Sequence, residues 1–322
     1  MSAFRSVKDA AVAPVTPAKR GYLSRRTFGT ICFGVLFLAF APTLVALAIH
    51  VAHSQLHSYI LLIPPLSFYL IHIRRDQLPK VYSTSAGLGL MAAITGIAAL
   101  ALAKLPGTPI QPLSQNDYLG VLTLSFLLLL VAGGFFFLGQ KWMVAAAFPV
   151  LFLFFMIPMP DAMVEGLETA SKLGSAETAS LFFSLSGTPF LRAGTVFQLP
   201  NITLEVAQEC SGIRSSWILL ITSLVASNLF LRTTWRRLVL VAFVIPLGLL
   251  RNGFRVCVIG LLCVKFGPQM INSPIHHHGG PLFFVLSLIP LFLMLWWLRS
   301  GETEKAGGRS ESPSEAEKGR NS

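Results

Sequence analysis

YLGVLTLSFLLLLVAGGFFFLGQ, residues 118–140, contains no Asp, Glu, Lys, Arg or His. At about 1.5 Å per residue a helix of this length reaches roughly 34 Å, enough to cross the ~30 Å hydrocarbon layer of a bilayer. The chain on either side repeats the pattern. Of 322 residues, 53% are hydrophobic and 12% charged, which is more apolar and about half as charged as ordinary globular chains. A soluble domain of this length has no way to bury so much Leu, Phe, Val and Ile. The reading that follows is an all-α polytopic membrane protein.

Apolar blocks place about eight transmembrane helices, at 29–50, 57–73, 84–105, 118–140, 142–159, 211–231, 237–266 and 280–298. Pro64, Pro65, Pro149, Pro246 and Pro290 fall inside them, which membrane helices tolerate when neighbours re-satisfy the freed carbonyls. Residues 1–28 read as a basic cytoplasmic N-terminus. Residues 299–322 are rich in Gly, Ser, Glu and Lys and read as a disordered cytoplasmic tail. SRRTF at 24–28 has the look of a twin-arginine export signal, but with seven further spans a cleaved signal is unnecessary. Arg25 and Arg26 read instead as the cytoplasmic anchor of the first span.

A net charge of +11 brings nucleic acid to mind, yet the basic residues cluster between apolar blocks, the pattern of membrane orientation. With both termini inside, 18 of the 25 Lys and Arg fall on the cytoplasmic side and 7 outside. That bias sets the orientation under the positive-inside rule. The long piece at 160–210 then lies outside. Its first half spaces Met163, Leu167, Ala170 and Leu173 at helical intervals, predicting an amphipathic surface helix. Its second half, with Gly and Pro punctuation and short β-branched runs, predicts a loop or small hairpin.

Three segments carry candidate chemistry. In LEVAQECSGIRSS (204–216), Cys210 sits just before the sixth span, where a helix N-terminus favours a thiolate; Arg214 follows four residues later. In LLRNGFRV (249–256), Arg251 and Arg255 fall with Asn252 in an apolar span. Intramembrane Arg is costly and usually functional, although snorkelling to the outer headgroups suits Arg251 equally well. In IHHHGGPLFF (275–284), His276, His277 and His278 precede the last span. Consecutive residues do not converge on one ion, and no Cys or carboxylate is near in sequence, so no metal is expected. Imidazole supplies a base near neutral pH. Cys32, Cys257 and Cys263 lie in apolar runs without CxxC spacing and read as packing residues.

Alternating the crossings brings the start of the sixth span, the far end of the seventh and the start of the eighth to the outer face. Thiolate, guanidinium and imidazole together are the parts of acyl transfer: nucleophile, oxyanion stabiliser and acid/base.

E-V-A-x-x-C-S-G at Glu205 to Gly212, N-x-x-R at Asn252 to Arg255 and H-x-x-x-G at His276 to Gly280 resemble the exosortase/archaeosortase family. The resemblance covers roughly 160–290 and looks like a core-only member. It implies a membrane cysteine protease or transpeptidase of the cytoplasmic membrane. Such an enzyme acts on membrane-anchored proteins with a C-terminal sorting signal of the PEP-CTERM kind, through a Cys thioester and without a cofactor. By the same resemblance Cys210 is the nucleophile and Arg255 the family Arg, while Asn252 and Glu205 orient Arg255 and the Cys loop. The family's Gly is often followed by Trp; here Gly280 is followed by Pro281, and the four-residue spacing selects His276, with His277 and His278 as alternatives. The rival reading is a transporter or polysaccharide-export component with Arg251 and Arg255 lining an anionic path.

Overall fold

The computed structural model describes residues 25–54, 56–80, 82–105, 113–200, 202–206, 212–267, 269–270 and 280–307. Helix α4 (Gln115–Phe137) packs against both α1 (Arg25–His53) and α3 (Ala86–Lys104). Small residues set the approach: a Cβ at Gly96 would stand 3.1 Å from Leu129, and the Ser125 hydroxyl donates to the Gly96 carbonyl at 2.8 Å. Close backbone contact and hydroxyl bonds of this kind drive helix association where water supplies no hydrophobic force. Phe40, Leu47, Ile63, Leu119, Phe126 and Phe152 fill the core of this half. In the other half α8 (Ile213–Phe230), α9 (Thr234–Phe266) and α10 (Gly280–Gly307) share a core of Leu219, Leu240, Val244, Leu247, Leu291 and Leu295.

Among the described residues six helices are long and apolar enough to cross a membrane, or up to seven if a bent pair counts as one span. The polytopic helical fold is therefore as expected, and two of the eight expected spans take another form. Residues 57–73 become a 3₁₀ turn at Ser58–Leu62 and helix α2 (Ile63–Ile73), together shorter than 18 residues. Pro64 and Pro65 occupy the first turn of α2, where the missing N–H groups cost nothing. Residues 142–159 are broken into α5 (Gln140–Ala145), α6 (Ala147–Phe152) and a 3₁₀ turn at Leu153–Met156. Pro158 and Pro160 then hold the chain extended, and α7 (Asp161–Leu185) leaves at 92°. The elbow is pinned to α4: Asn116 Nδ2 donates to the Met159 carbonyl at 2.7 Å and to Asp161 Oδ1 at 2.8 Å, while the Asp161 amide donates to Asp117 Oδ1 at 3.0 Å.

The expected amphipathic helix in 160–210 is α7. The expected loop or hairpin is a three-stranded antiparallel meander, β1 (Leu191–Ala193), β2 (Val196–Leu199) and β3 (Ile202–Glu205). Helix α9, with 33 residues, is about 50 Å long and exceeds the hydrocarbon thickness. Its second half joins α7 and the sheet in a separate core of Ala176, Ala179, Phe183, Phe197, Leu204, Val256 and Cys257. Contact is tight enough that a Cβ at Gly253 would collide with Thr178 Oγ1 and lie 2.8 Å from the Ala179 nitrogen.

One end of the bundle is knitted by arginines. Arg74 donates to the side chain and carbonyl of Asn228 at 2.6 and 3.0 Å, and Arg237 to the Leu231 carbonyl at 2.7 Å. Buried Arg236 donates to the carbonyls of Leu298 and, at 2.9 Å, Gly301. Glu302 accepts the Arg232 amide at 3.0 Å and the Thr233 amide at 2.8 Å. Arg74 and Arg237 thus sit on the C-terminal carbonyls of α8, where cationic donors satisfy orphan acceptors and complement the dipole.

Candidate active site

The opposite end is built around the start of α8. Gly212, its N-cap, has φ +68°, a left-handed conformation that suits glycine. A side chain is excluded there on space as well: a Cβ would lie 3.0 Å from both Arg251 Nη2 and Asn252 Oδ1. Gly212 supplies no side-chain cap, so the first amides of α8 present the positive end of its dipole.

Helix α9 delivers the polar groups. Arg251 is 8% exposed, and its Nη2 donates to the Gly212 carbonyl at 3.0 Å and to Ser216 Oγ at 3.1 Å. It does not snorkel; it holds the turn at the head of α8. Gly248 makes room one turn earlier, where a Cβ would meet Ser216 Oγ at 2.9 Å. Asn252, 2% exposed, donates to Ser175 Oγ of α7 at 2.9 Å and so joins α7 to the same locus. Arg255 lies one turn beyond Arg251 on the same face and is half-buried, close enough for the two charges to repel.

Other expected residues fall around this centre. Arg214 is exposed and reaches Ser58 Oγ at 3.4 Å, linking α8 to the connection between α1 and α2. The Glu205 carboxylate takes Lys172 Nζ at 3.1 Å, which ties β3 to α7 five residues before Cys210. Cys210, His276, His277 and His278 lie outside the described residues. Among the described cysteines, Cys257 and Cys263 are buried and Cys32 partly so, and all three are free thiols within helices. No group of three or more His, Cys, Asp or Glu arranged to hold a metal occurs among the described residues.

Sequence reasoning missed Ser175, Ser216 and His57. Ser175 belongs to the small-residue run GSA and Ser216 to the pair Ser215–Ser216, small residues that signal close helix approach. His57 is 6% exposed beside Ser58; its Nδ1 is 3.2 Å from Ser54 Oγ, and its Nε2 has no partner among the described residues. Its only sequence signal is its place as the third His, after His50 and His53, between two apolar stretches. From Ser58 an apolar groove of about 610 Å³ runs between α2 and α8, past Leu66, Ile221 and Val225 to Phe230.

Arg251 on the Gly212 turn, Arg255 one helical turn away and the N-terminus of α8 together create a positive locus, suited to stabilising a thiolate or a developing oxyanion. Residues 50–293 match the family model described as transmembrane exosortase. That stretch includes every residue assigned above by resemblance. No curated protein and no solved structure gave a match.

Proposed function

The chain belongs to the transmembrane exosortase family of membrane sorting enzymes, and we propose that it is a cysteine transpeptidase that removes a C-terminal sorting signal from membrane-anchored proteins. The observation that carries this reading is the bond from Arg251 to Gly212. It joins two chemistry-bearing segments 39 residues apart at one end of the bundle, two residues after Cys210.

Cys210 as thiolate attacks the carbonyl carbon of the scissile peptide bond, forming a C–S bond and an oxyanion that Arg255 stabilises. Collapse breaks the C–N bond, and His276, His277 or His278 gives the departing amine its proton; spacing favours His276. The thioester passes to an acceptor nucleophile and the thiolate is released. The knitted basic end faces the cytoplasm and the Gly212 end faces outward, in line with the positive-inside rule. The substrate's own span lies in the groove between α2 and α8. The occupant follows from continuity: Ser58 at the groove's rim takes the bond from Arg214, four residues after Cys210. The transporter reading loses support because Arg251 donates to a backbone turn and a serine instead of lining an open path.

The test is co-expression with a protein ending in a short motif, a span and an Arg cluster. Cys210→Ala and Cys210→Ser should reach the membrane at wild-type levels and leave the substrate full length. Processing by either variant would remove Cys210 from the mechanism and the transpeptidase reading with it.

A further inference from the structure

Arg251 has no place in the motif that supports the family resemblance; N-x-x-R takes Asn252 and Arg255 and passes it over. Yet it is the more deeply buried of the two arginines. Taking a guanidinium out of water costs several kcal/mol unless charge or hydrogen bonds offset it. Here both acceptors, the Gly212 carbonyl and Ser216 Oγ, are neutral. Arg251 makes no ion pair among the described residues, and its Nη1 has no hydrogen-bond partner among them. Arg255, one turn away, adds repulsion. A cation so placed is stabilised by negative charge arising nearby. What it grips is the backbone of the residue two after Cys210, in a turn that Arg251 and Asn252 enclose too closely for a Cβ.

We propose that Arg251 is a positioning residue for the nucleophile: it locks the Gly212 turn against α9 and holds a positive charge at the residue two after Cys210. The inference rests on the reading of Cys210 as nucleophile. Grip and charge are separable. Gln removes the charge, whereas Lys keeps it but ends one bond short of Nη2 and loses the hold on the Gly212 carbonyl.

The experiment uses the full chain in membranes. Alkylation of Cys210 by iodoacetamide is followed against pH by mass spectrometry of the Cys210 peptide, beside kcat and KM for the sorting-signal substrate. In the wild type the alkylation midpoint should lie below the ~8.5 of a free thiol. Arg251→Gln should raise it by about one pH unit or more and lower kcat by roughly tenfold or more, with KM little changed. Arg251→Lys should restore the midpoint but not the rate. A Gln variant with the wild-type midpoint and turnover would overturn the proposal. If the Gln variant fails to accumulate, the Lys variant decides: reduced kcat at unchanged KM supports the grip, and wild-type turnover refutes it. A Cys210→Ala enzyme that still processes substrate is a different failure, that of the transpeptidase reading itself.

Discussion

Arg236 and Arg251 sit on the same helix, about 22 Å apart along its axis, and each is 8% exposed. At the basic end Arg236 spends its guanidinium on the Leu298 and Gly301 carbonyls of α10 and lies 5.9 Å from the Trp235 ring. At the other end Arg251 holds one backbone carbonyl and one hydroxyl and keeps Nη1 without a partner among the described residues. Equal burial thus serves two purposes. A guanidinium closed by backbone acceptors of a neighbouring helix is part of the scaffold. One left with a spare buried donor beside the left-handed Gly212 turn is what the proposed catalytic role calls for.

The largest effect is expected at the reactive end. Arg255→Ala should lower the rate of signal removal by ~10²–10³, the usual loss for an oxyanion donor, with folded protein retained. Arg255→Lys should be poor as well, because an ammonium lacks the planar fork. An Arg255→Ala enzyme at wild-type rate would erase the distinction between the two ends.

Next is the contact between α7 and α9. Gly253→Ala pushes a Cβ into Thr178 and the backbone of α7. Overpacking of this kind costs about 1–3 kcal/mol and shifts backbone, so stability in detergent should fall and the neighbouring Asn252 to Ser175 bond should be disturbed. Unchanged stability together with unchanged activity would mean that α7 does not bear on the site.

Arg236→Ala is the control at the basic end. It strips the donors from the Leu298 and Gly301 carbonyls, a loss of about 1–3 kcal/mol, while the rate per folded molecule stays at the wild-type level. A selective loss of kcat would refute the scaffold role.

The smallest effect belongs to the exposed tie between α7 and β1. Arg192 holds the Glu177 carboxyl below the usual carboxylate range through bonds of 2.6 and 2.9 Å. A depressed folded-state pKa stabilises above the unfolded value and is lost as pH falls through the folded one. Glu177→Gln should therefore change thermal stability slightly near neutral pH and not at all in acid. A large change at neutral pH would show the pair to be more than a solvent-screened tie.

The sequence made the bundle legible where apolar runs were long and uninterrupted, as in α1, α3, α4 and α10. It misled at 142–159, where hydropathy registers Phe, Leu and Met but not the break imposed by Pro158 and Pro160. It was equally silent on where α9 packs against α7 and the sheet. Val256 and Cys257 are apolar whether they face hydrocarbon or, as observed, the Phe183 and Phe197 rings. The sheet's third strand was hidden because strands of three and four residues leave little period to read. At the site, the meeting of the Gly212 and Asn252 segments followed from counting crossings. The choice between a snorkelling and a gripping Arg251 did not, because it depends on a contact across 39 residues that no local pattern encodes.

The central claim, a Cys210 nucleophile at the Gly212 end, is tested most directly by trapping its acyl intermediate. Membranes carrying the full chain would be incubated with substrate, quenched and split into halves with and without hydroxylamine, which cleaves thioesters but spares amides. Mass spectrometry should find the substrate's new C-terminal residue on the Cys210 peptide, removed by hydroxylamine and absent from Cys210→Ala. Processing without any adduct on Cys210, or an adduct on Cys257 or Cys263 instead, would contradict the account.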